Sequence, residues 1–281
     1  MDLMAGYLGD AALVNGTPDA ELAVAATPYR FRLLNGPNAR IFRVAFDDGR
    51  PFQVIAGDGG LLERPVASTA LFLGPGERVE IVVDFSRDAS GRPRRLVSLP
   101  FSAGGGGMGP GMGMGGTSAQ GAALSLLRLT VQGRGPALPA LPERLVTQER
   151  FGSAEVRRRF VLQMRMPPFA GSFTINGRSF DAGRVDVRVE RGVVEAWEVV
   201  NASGEPHPFH VHATQFQVVS RSSGPPGPHE LGLKDTVLVW PGETVQLAVR
   251  FERHAGLYVL HCHCHNLEHE DAGMMSNLEV L

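Results

Sequence analysis

The residues best suited to chemistry lie near the C-terminus, where Cys264 is followed by His269 at position +5 and Met274 at +10. All nine histidines of the chain lie at or after His207. One thiolate, two imidazoles and a weak thioether form the ligand set of a blue, electron-transferring copper. We therefore expect His207, with the three residues named above, to bind one copper ion, and Cys264 to bind it as the thiolate.

Four further histidines form two pairs with a spacing of two residues: His210 with His212, and His263 with His265. Alternate residues of a strand project to the same face, so each pair would present two imidazoles together. The second pair flanks Cys264. One strand would then carry a thiolate to one copper and imidazoles to others. The pattern predicts a second copper site, joined to the first by a short covalent path.

The run from His261 to His265 contains a second cysteine, Cys262, and so leaves two choices for the thiolate. Strand alternation does not separate them, because both would point the same way. Counting forward does: Cys262 has Leu267 at +5 and Ala272 at +10, and neither is a copper ligand. We take Cys264 as the thiolate and keep Cys262 as the alternative.

Strands must position these side chains. The chain contains 35 glycines and 20 prolines, which is typical of many turns and short strands. Apolar residues alternate with polar ones in two clear stretches, 185–189 and 245–251. A period of two marks strands with one buried face. These patterns predict an all-β fold.

The sequence also contains an internal repeat. Residues 75–85 return as 241–251, and residues 31–35 return as 197–201, both with an offset of 166 residues. Two matches in one register indicate duplication. At the same offset the first copy has no ligand opposite the histidines; the matched pairs are Ile41 with His207, Val44 with His210 and Phe46 with His212.

The repeat divides the chain into two domains. We expect residues 1–135 to form a β domain without copper ligands. Residues 150–281 would form a second one that carries the first copper site and half of the second. The proline-spaced connector at 136–142 between them would be stiff.

Several motifs resemble one known family. The segment His207-Pro208-Phe209-His210-Val211-His212 and the run from His263 to Met274 resemble the C-terminal signature of the multicopper oxidases, the laccase-like family. Residues 9–16, 30–35 and 58–62 are similar to the middle domain of that family, and 173–177 and 197–201 to its third. The resemblance extends over essentially the whole chain and implies two cupredoxin-like Greek-key β-sandwich domains.

The resemblance also implies a role for each site residue. The type 1 copper would be held by His207, Cys264, His269 and Met274. His210 would bind type 2 copper, and the type 3 pair would be bound by His212, His263 and His265. The edge of His269 would receive electrons from a small reducing substrate. Glu270 matches an acidic position that helps bring protons to the oxygen site; the alternative is a solvated surface glutamate.

The reaction implied is the one-electron oxidation of phenols, aromatic amines or metal ions, coupled to the reduction of O₂ to water. The family carries a first domain with further His-x-His pairs, whereas this chain has no histidine before His207. We therefore expect a fragment or a two-domain form that needs a separate cupredoxin domain or another subunit to complete the type 2 and type 3 cluster. The alternatives are a copper-binding electron-transfer module and an inactive remnant, metal-free or zinc-binding.

Composition excludes other partners. A net charge of −2 gives no excess of positive charge that would attract nucleic acid or an anionic membrane. No apolar run approaches the ~20 residues of a membrane span. The first six residues lack a signal-peptide core, while the resemblance favours a periplasmic or secreted location.

Some residues stay outside the copper motifs. We expect the glycine- and methionine-rich segment 102–116 to be a disordered surface loop, with capture of Cu(I) by its thioethers as the alternative. His229 and His254 are expected to be solvent-exposed loop residues. Asp235 is expected either to shape a substrate pocket or to start a strand.

Overall fold

The computed structural model describes residues 2–88, 91–103, 119–165 and 173–281, and it leaves the side chains of 2, 3 and 259–263 outside that description. Met108, Met112 and Met114 of the glycine- and methionine-rich segment lie outside the described residues. Strands account for most of the regular secondary structure of the described residues, as the all-β prediction requires. Among the described residues, no helix has both the length and the apolar character needed to cross a membrane.

The first half of the chain is a sandwich of two sheets, preceded by a short helix. The core between the sheets contains Val54, Val79, Ile81, Val83 and Phe85, all fully buried. The elements are α1 (Asp2–Ala5), β1 (Leu13–Val14), β2 (Thr17–Pro18), β3 (Glu21–Ala26), β4 (Pro28–Leu34), β5 (Phe42–Phe46), β6 (Phe52–Gly57), β7 (Gly60–Ser68), β8 (Ala70–Leu73), β9 (Arg78–Asp84), β10 (Pro93–Ser98) and β11 (Leu124–Arg134). The sheets have the orders β3-β11-β10-β5-β8 and β4-β9-β6-β7, and β1 pairs with β2.

The second half repeats this architecture with its own sheets. The elements are β12 (Val156–Met164), β13 (Phe173–Ile175), β14 (Val187–Val189), β15 (Val194–Asn201), β16 (His207–Val211), β17 (Phe216–Arg221), β18 (Leu233–Lys234), β19 (Thr236–Val239), β20 (Thr244–Arg250), β21 (Gly256–Cys264), α2 (Leu267–Asp271) and β22 (Met275–Val280). Two 3-10 turns lie at Ala119–Gly121 and Pro228–Glu230. The sheet orders are β13-β12-β15-β20-β17-β18 and β14-β22-β21-β16-β19.

The repeat seen in the sequence recurs in the hydrogen bonds. Strand β4 pairs with β9 in the register Pro28 to Asp84, and β15 pairs with β20 in the register Val194 to Arg250, so both partners move by the same 166 residues. The side-chain hydrogen bonds of two equivalent asparagines are shifted by the same number of residues. The side chain of Asn35 donates to the carbonyl of Leu73, and that of Asn201 donates to the carbonyl of Val239. The two halves therefore share backbone register as well as sequence.

The offset of 166 residues, which we used to align the two copies, does not hold at β16, where the true offset is one residue smaller. Phe42 pairs with Leu73 in the first half, whereas His207 pairs with Val239 in the second. Since Val239 is the repeat equivalent of Leu73, the counterpart of His207 is Phe42 and not Ile41. Counted from the equivalent asparagines, six residues separate Asn35 from Phe42 and five separate Asn201 from His207, so the second connection is one residue shorter. By the same register, the counterpart of His210 is Ala45 and not Val44. The counterpart of His212 is Asp47 and not Phe46.

A buried charge cluster joins the two halves. The amine of Lys234 lies 2.9 Å from Asp58 and 2.8 Å from Glu77, and all three side chains are 0–1% exposed. Burial opposes ionisation of Glu77, but the charge of Lys234, with His229, outweighs it and holds the pKa of Glu77 below its usual value. His229 lies 3.5 Å from Glu77.

Only one of the two histidines expected in solvent-exposed loops lies in solvent. The prediction was wrong for His229, which is only 5% exposed because the 3-10 turn that carries it packs between the two halves. It was right for His254, which is exposed.

Candidate metal centre

Three of the predicted ligands meet in the core of the second half. The Nδ1 atom of His207 lies 3.3 Å from the Sγ atom of Cys264, which lies 3.6 Å from Nδ1 of His269. The two Nδ1 atoms are 3.2 Å apart. All three residues are 0% exposed. Their ligand atoms therefore form a small triangle, closed to water, that faces one common point.

Each ligand comes from a different element. His207 is the first residue of β16, and Cys264 is the last residue of β21, the strand that pairs with β16 through Phe209 and Cys264. His269 lies on α2, which begins after the N-cap residue Asn266, whose side chain accepts a hydrogen bond from the His269 amide. Sheet pairing sets the distance between the first two ligands, and the capped helix turn brings back the third.

Met274 lies beside the triangle. Its amide donates to the carbonyl of His269 at 3.0 Å, and its carbonyl accepts from the amide of Cys264 at 3.3 Å. The residue is 0% exposed and belongs to the same core as Cys264. The backbone thus ties the predicted fourth ligand to two of the other three.

Hydrogen bonds to the outer ring nitrogens fix the tautomers of both imidazoles. Ser203 lies 2.7 Å from Nε2 of His207, and when its hydroxyl donates to Asn201 or Glu205, its oxygen accepts from that ring. The carbonyl of Met4 accepts from Nε2 of His269 at 2.9 Å. Each ring therefore keeps its lone pair on Nδ1, toward Cys264.

The protonation states suit a cation. Burial lowers the pKa of His207, with a smaller effect from His269, and burial lowers the pKa of His269 to about 4, so both rings are neutral at ordinary pH. Burial raises the pKa of the Cys264 thiol well above its usual value. A bound cation would be needed to hold the thiolate there. A buried His₂Cys set with a nearby thioether fits copper.

The second group of histidines lies on the opposite face of the same two strands. The ring centroid of His210 is 4.9 Å from that of His212 and 4.6 Å from that of His265. The side chain of His263 falls outside the described side chains, but its backbone pairs with that of His210. The structure thus brings together the three predicted ligands of this group that it describes.

One histidine of this second group has a hydrogen-bond partner on the neighbouring strand. Thr236 donates to Asp235 and lies 2.9 Å from Nδ1 of His210, so His210 donates to it and keeps its lone pair on Nε2.

The first half also contacts this region. Arg78 of the first half holds Asp235 through two hydrogen bonds of 2.7 and 2.6 Å. Of the two roles expected for Asp235, the contacts support the structural one. Gly76 faces the ring of His265, from which a Cβ atom there would be only 2.6 Å away.

Glu270 is half-buried on α2, next to His269. Its negative charge contributes to the raised pKa of Cys264, although burial is the larger cause. Its carbonyl accepts from the amide of Gly273, which closes the helix turn.

A second cluster of possible ligands is an ion-pair network. Glu77, His229 and Glu230 have ligand atoms within 4.8 Å of one another. However, Lys234 pairs with Glu77, and Arg221 pairs with Glu230 through both carboxylate oxygens. These cations already neutralise the carboxylates that a metal would need, so we assign no metal to this cluster.

Sequence reasoning predicted the side chains that the structure brings together but missed the groups that contact their rings. Asn266 carries a signal, because an asparagine directly before a helix is a typical N-cap. Ser203 and Met4 carry none, since their contacts with the rings depend on loops that the local pattern does not describe.

Comparison with known proteins agrees with this geometry. Residues 4–92 and 153–281 each match a sequence profile described as multicopper oxidase. The chain belongs to the multicopper oxidase family. Its fold is the family's pair of cupredoxin-like sandwiches: the structure superimposes on the multicopper oxidase McoA of Aquifex aeolicus with a TM-score of 0.87 and 34% identity, covering 100% of this chain and 61% of that one.

Curated relatives give the same assignment. The multicopper oxidase mco of Staphylococcus aureus is 30% identical over 98% of this chain and 53% of its own length. The bilirubin oxidase of Albifimbria verrucaria is 35% identical over 96% of this chain and 47% of its own. The chain therefore spans about half the length of the curated relatives it matches. Membership of this family implies copper as the cofactor.

Proposed function

We propose that this chain supplies the electron-accepting part of a laccase-like oxidase. The observation that carries the proposal is the closed triangle of His207, Cys264 and His269, with Met274 bound to it through the backbone. When bound there, copper supplies a one-electron acceptor of the type 1 kind. The residues hold two neutral imidazoles and a thiolate in a dry, fixed geometry, so little rearrangement accompanies a change of charge.

The substrates follow from the same centre. A small reducing molecule, such as a phenol, an aromatic amine or a low-valent metal ion, would give up one electron at a time. Electrons would then pass along β21 from Cys264 to the neighbouring histidines, a path of a few covalent bonds. O₂ would be the final acceptor, and its reduction to water would take place at the second histidine group.

The second group needs completion by another domain or subunit. His210, His212 and His265 converge at one surface, and the backbone of His263 lies in the adjacent strand. We propose that a further cupredoxin domain docks there and contributes the remaining imidazoles of a type 2 and type 3 cluster, in which Glu270 would help to deliver protons. We also propose a location outside the cytoplasm, as the family resemblance suggests.

Copper reconstitution tests the first part of this proposal. The purified chain would be loaded with copper, and copper per chain, the visible spectrum and the EPR spectrum would be measured. We expect an intense blue band, because a Cu–thiolate bond is required for it. Cys264→Ser should abolish the band, while the matched variant Cys262→Ser should keep it. A colourless copper protein would contradict the type 1 assignment, and a band lost only in Cys262→Ser would move the thiolate to the other cysteine.

Oxygen uptake with a phenol as donor tests the second part. One copper per chain, blue and without oxygen uptake, would show that this chain is not an oxidase by itself and that another copy of the chain does not complete the second group. A higher copper content with an EPR-silent pair and oxygen uptake would support the completed cluster.

A further inference from the structure

The outer edge of His269 is covered by the segment 4–9, which we call the entry cover. The carbonyl of Met4 accepts the Nε2 proton of His269 at 2.9 Å, and His269 is 0% exposed. The side chain of Met4 packs against the core that contains Cys264 and Met274. The edge of His207 is closed as well, since Ser203 covers its Nε2 and the residue is fully buried. Neither imidazole edge is open to a substrate.

The entry cover is fastened at two points. Near its start, the side chain of Asn266 donates to the carbonyl of Ala5 at 3.4 Å. At its end, the guanidinium of Arg40 donates to the carbonyl of Leu8 at 2.8 Å and to that of Gly9. Asn266 and His269, which both hydrogen-bond to the cover, belong to the segment that carries the proposed type 1 ligand. Displacement of the cover would therefore expose that segment directly.

Gly6 shows how closely the cover is fitted. Its backbone has φ +77°, and a Cβ atom there would lie 2.2 Å from Cβ of Ala39 and 2.7 Å from the side-chain nitrogen of Asn266. Real Cβ atoms do not approach so closely, so any side chain at position 6 must push the cover outward. Gly9 also has a positive φ, +61°, but a Cβ atom there would meet nothing within 4 Å. The two glycines thus share the backbone constraint and differ in crowding.

We propose that the entry cover determines which reducing substrates the type 1 site accepts. In its closed position it denies large aromatic donors, such as substituted phenols, contact with the imidazole edge of His269, whereas small reductants pass electrons from the surface. Opening the cover admits the large donors. This inference rests on the proposed function, because it needs copper at His207, Cys264 and His269.

Single-turnover reduction of the copper-loaded chain tests the inference without requiring oxygen reduction. Bleaching of the blue band would be followed by stopped flow with a bulky substituted phenol and, separately, with ascorbate. Because the apparent rate scales with the open fraction, a cover that is open about a tenth of the time limits the phenol rate about tenfold. We expect Gly6→Ala to raise the phenol rate by about that factor and to leave the ascorbate rate unchanged. Gly9→Ala should change neither rate.

Two further variants separate opening from general damage. Gly6→Ala combined with Ala39→Gly removes the closer of the two contacts that the new side chain would make and leaves the contact with Asn266, so it should return the phenol rate part of the way toward that of the unmodified chain. Arg40→Gln loosens the far end of the cover without adding bulk and should raise the phenol rate too, which keeps the test valid if Gly6→Ala does not fold. Ring-nitrogen NMR of His269 in the copper-free chain should show loss of the Nε2 hydrogen bond in both opening variants.

The outcomes distinguish the two proposals. A chain with no blue band overturns the proposed function and the inference with it. A blue chain in which His269 loses its hydrogen bond to Met4, but in which the phenol rate stays unchanged, overturns the inference alone. Equal acceleration by Gly9→Ala and Gly6→Ala would also overturn it, because crowding would then not be the cause.

Discussion

Three imidazoles of this protein each have a hydrogen-bond partner on one ring nitrogen. Ser203 accepts from His207, the carbonyl of Met4 accepts from His269, and Thr236 accepts from His210. Partners of this kind fix ring orientation and make the ligand nitrogen more basic. The proposed copper site thus has oriented imidazoles before a metal binds.

The number of protons released on copper binding should reveal the protonation states of His207, His269 and Cys264. At about pH 5.5 two ordinary histidines would be mostly protonated, and both would lose protons when they bind a metal. Here burial keeps His207 and His269 neutral, the latter with a pKa of about 4, while burial keeps Cys264 protonated. We expect the release of about one proton, from Cys264, for each copper bound at His207, Cys264 and His269.

The measurement is calorimetric titration in buffers of different ionisation enthalpy, at about pH 5.5 and about 7.5. The proton count should be the same at both values, because the two rings are neutral throughout. A count near three at the lower pH would show that the rings are protonated and contradict the structure. Cys264→Ser serves as the control, since it removes the thiol proton.

The elements of the two halves correspond closely, so equivalent residues in the repeat can serve as internal controls. Gly76 and Gly242 follow the same proline in the two copies, and both have a positive φ, +80° and +72°. A Cβ atom at Gly76 would meet the ring of His265, whereas one at Gly242 would meet nothing within 4 Å. The turn at Gly76 in the first copy therefore packs against His265 of the second histidine group, whereas the equivalent turn at Gly242 has no such contact.

Substitution of these glycines by alanine should therefore have unequal effects. Both variants carry the cost of a left-handed residue, about 1–2 kcal/mol. Gly76→Ala must also displace His265, and overpacking of this kind costs about 1–3 kcal/mol more. The check is thermal unfolding of the copper-free chain, with Gly242→Ala as the matched control. Equal losses of stability in the two variants would rule out the contact with His265.

A second pair of equivalent residues is Asn35 and Asn201. Both side chains donate twice to backbone carbonyls, but only Asn201 also accepts, from the amide and hydroxyl of Ser203. The side-chain oxygen of Asn35 has no hydrogen-bond partner among the described residues. The second asparagine consequently supports the serine that orients His207.

Replacement by alanine should cost more at position 201 than at 35, by about 1 kcal/mol for the additional buried hydrogen bonds. Denaturation followed by circular dichroism compares the two variants. Tryptophan fluorescence adds a local probe for the second half, where Trp197 and Trp240 both lie. If Asn35→Ala proved the more damaging variant, the hydrogen-bond count would not explain the asymmetry.

The sequence predicted these elements unevenly. The period of two predicted a strand at 245–251, which the structure has at Thr244–Arg250, and the repeat marked 197–201, which lies within Val194–Asn201. The spacing of the histidines, Cys264 and Met274 predicted which side chains converge. The pattern could not show the one-residue slip that moves the counterpart of His207 from Ile41 to Phe42, because a loop sets it. It could not show the burial of His229 either, since that depends on contacts between halves far apart in sequence.

At the scale of the whole molecule, the buried charges around Lys234 connect the two halves. Its amine contacts Asp58 and Glu77 of the first half, and Arg78 reaches across to Asp235 of the second. The loop that carries Glu77 also carries Gly76, which faces His265. The position of the first half is therefore coupled to the second histidine group.

Lys234→Met should destabilise the protein strongly. It leaves two carboxylates buried without their cation, and breaking a buried pair in this way costs about 3–5 kcal/mol. Adding Asp58→Asn and Glu77→Gln removes the unpaired charges and should recover part of the loss. Chemical denaturation of the three forms measures this, and a near-zero effect of Lys234→Met would contradict the buried network.

The same cluster predicts a pH dependence. The pKa of Glu77 is lower in the folded protein than in the unfolded chain, so its contribution to stability is present above the unfolded value of about 4.3 and is lost as pH falls through the folded value. The difference in unfolding free energy between the unmodified protein and Lys234→Met should thus narrow below about pH 4. Denaturation at a series of pH values tests this, and a constant difference would contradict it.

Lys234 is the only lysine of the chain, and its side chain is 0% exposed. Amine-reactive dyes and cross-linkers therefore find no lysine on the surface of the folded protein. A label on Lys234 would record that the two halves had come apart, so the chain contains its own chemical reporter of separation, readable by mass spectrometry on a single peptide.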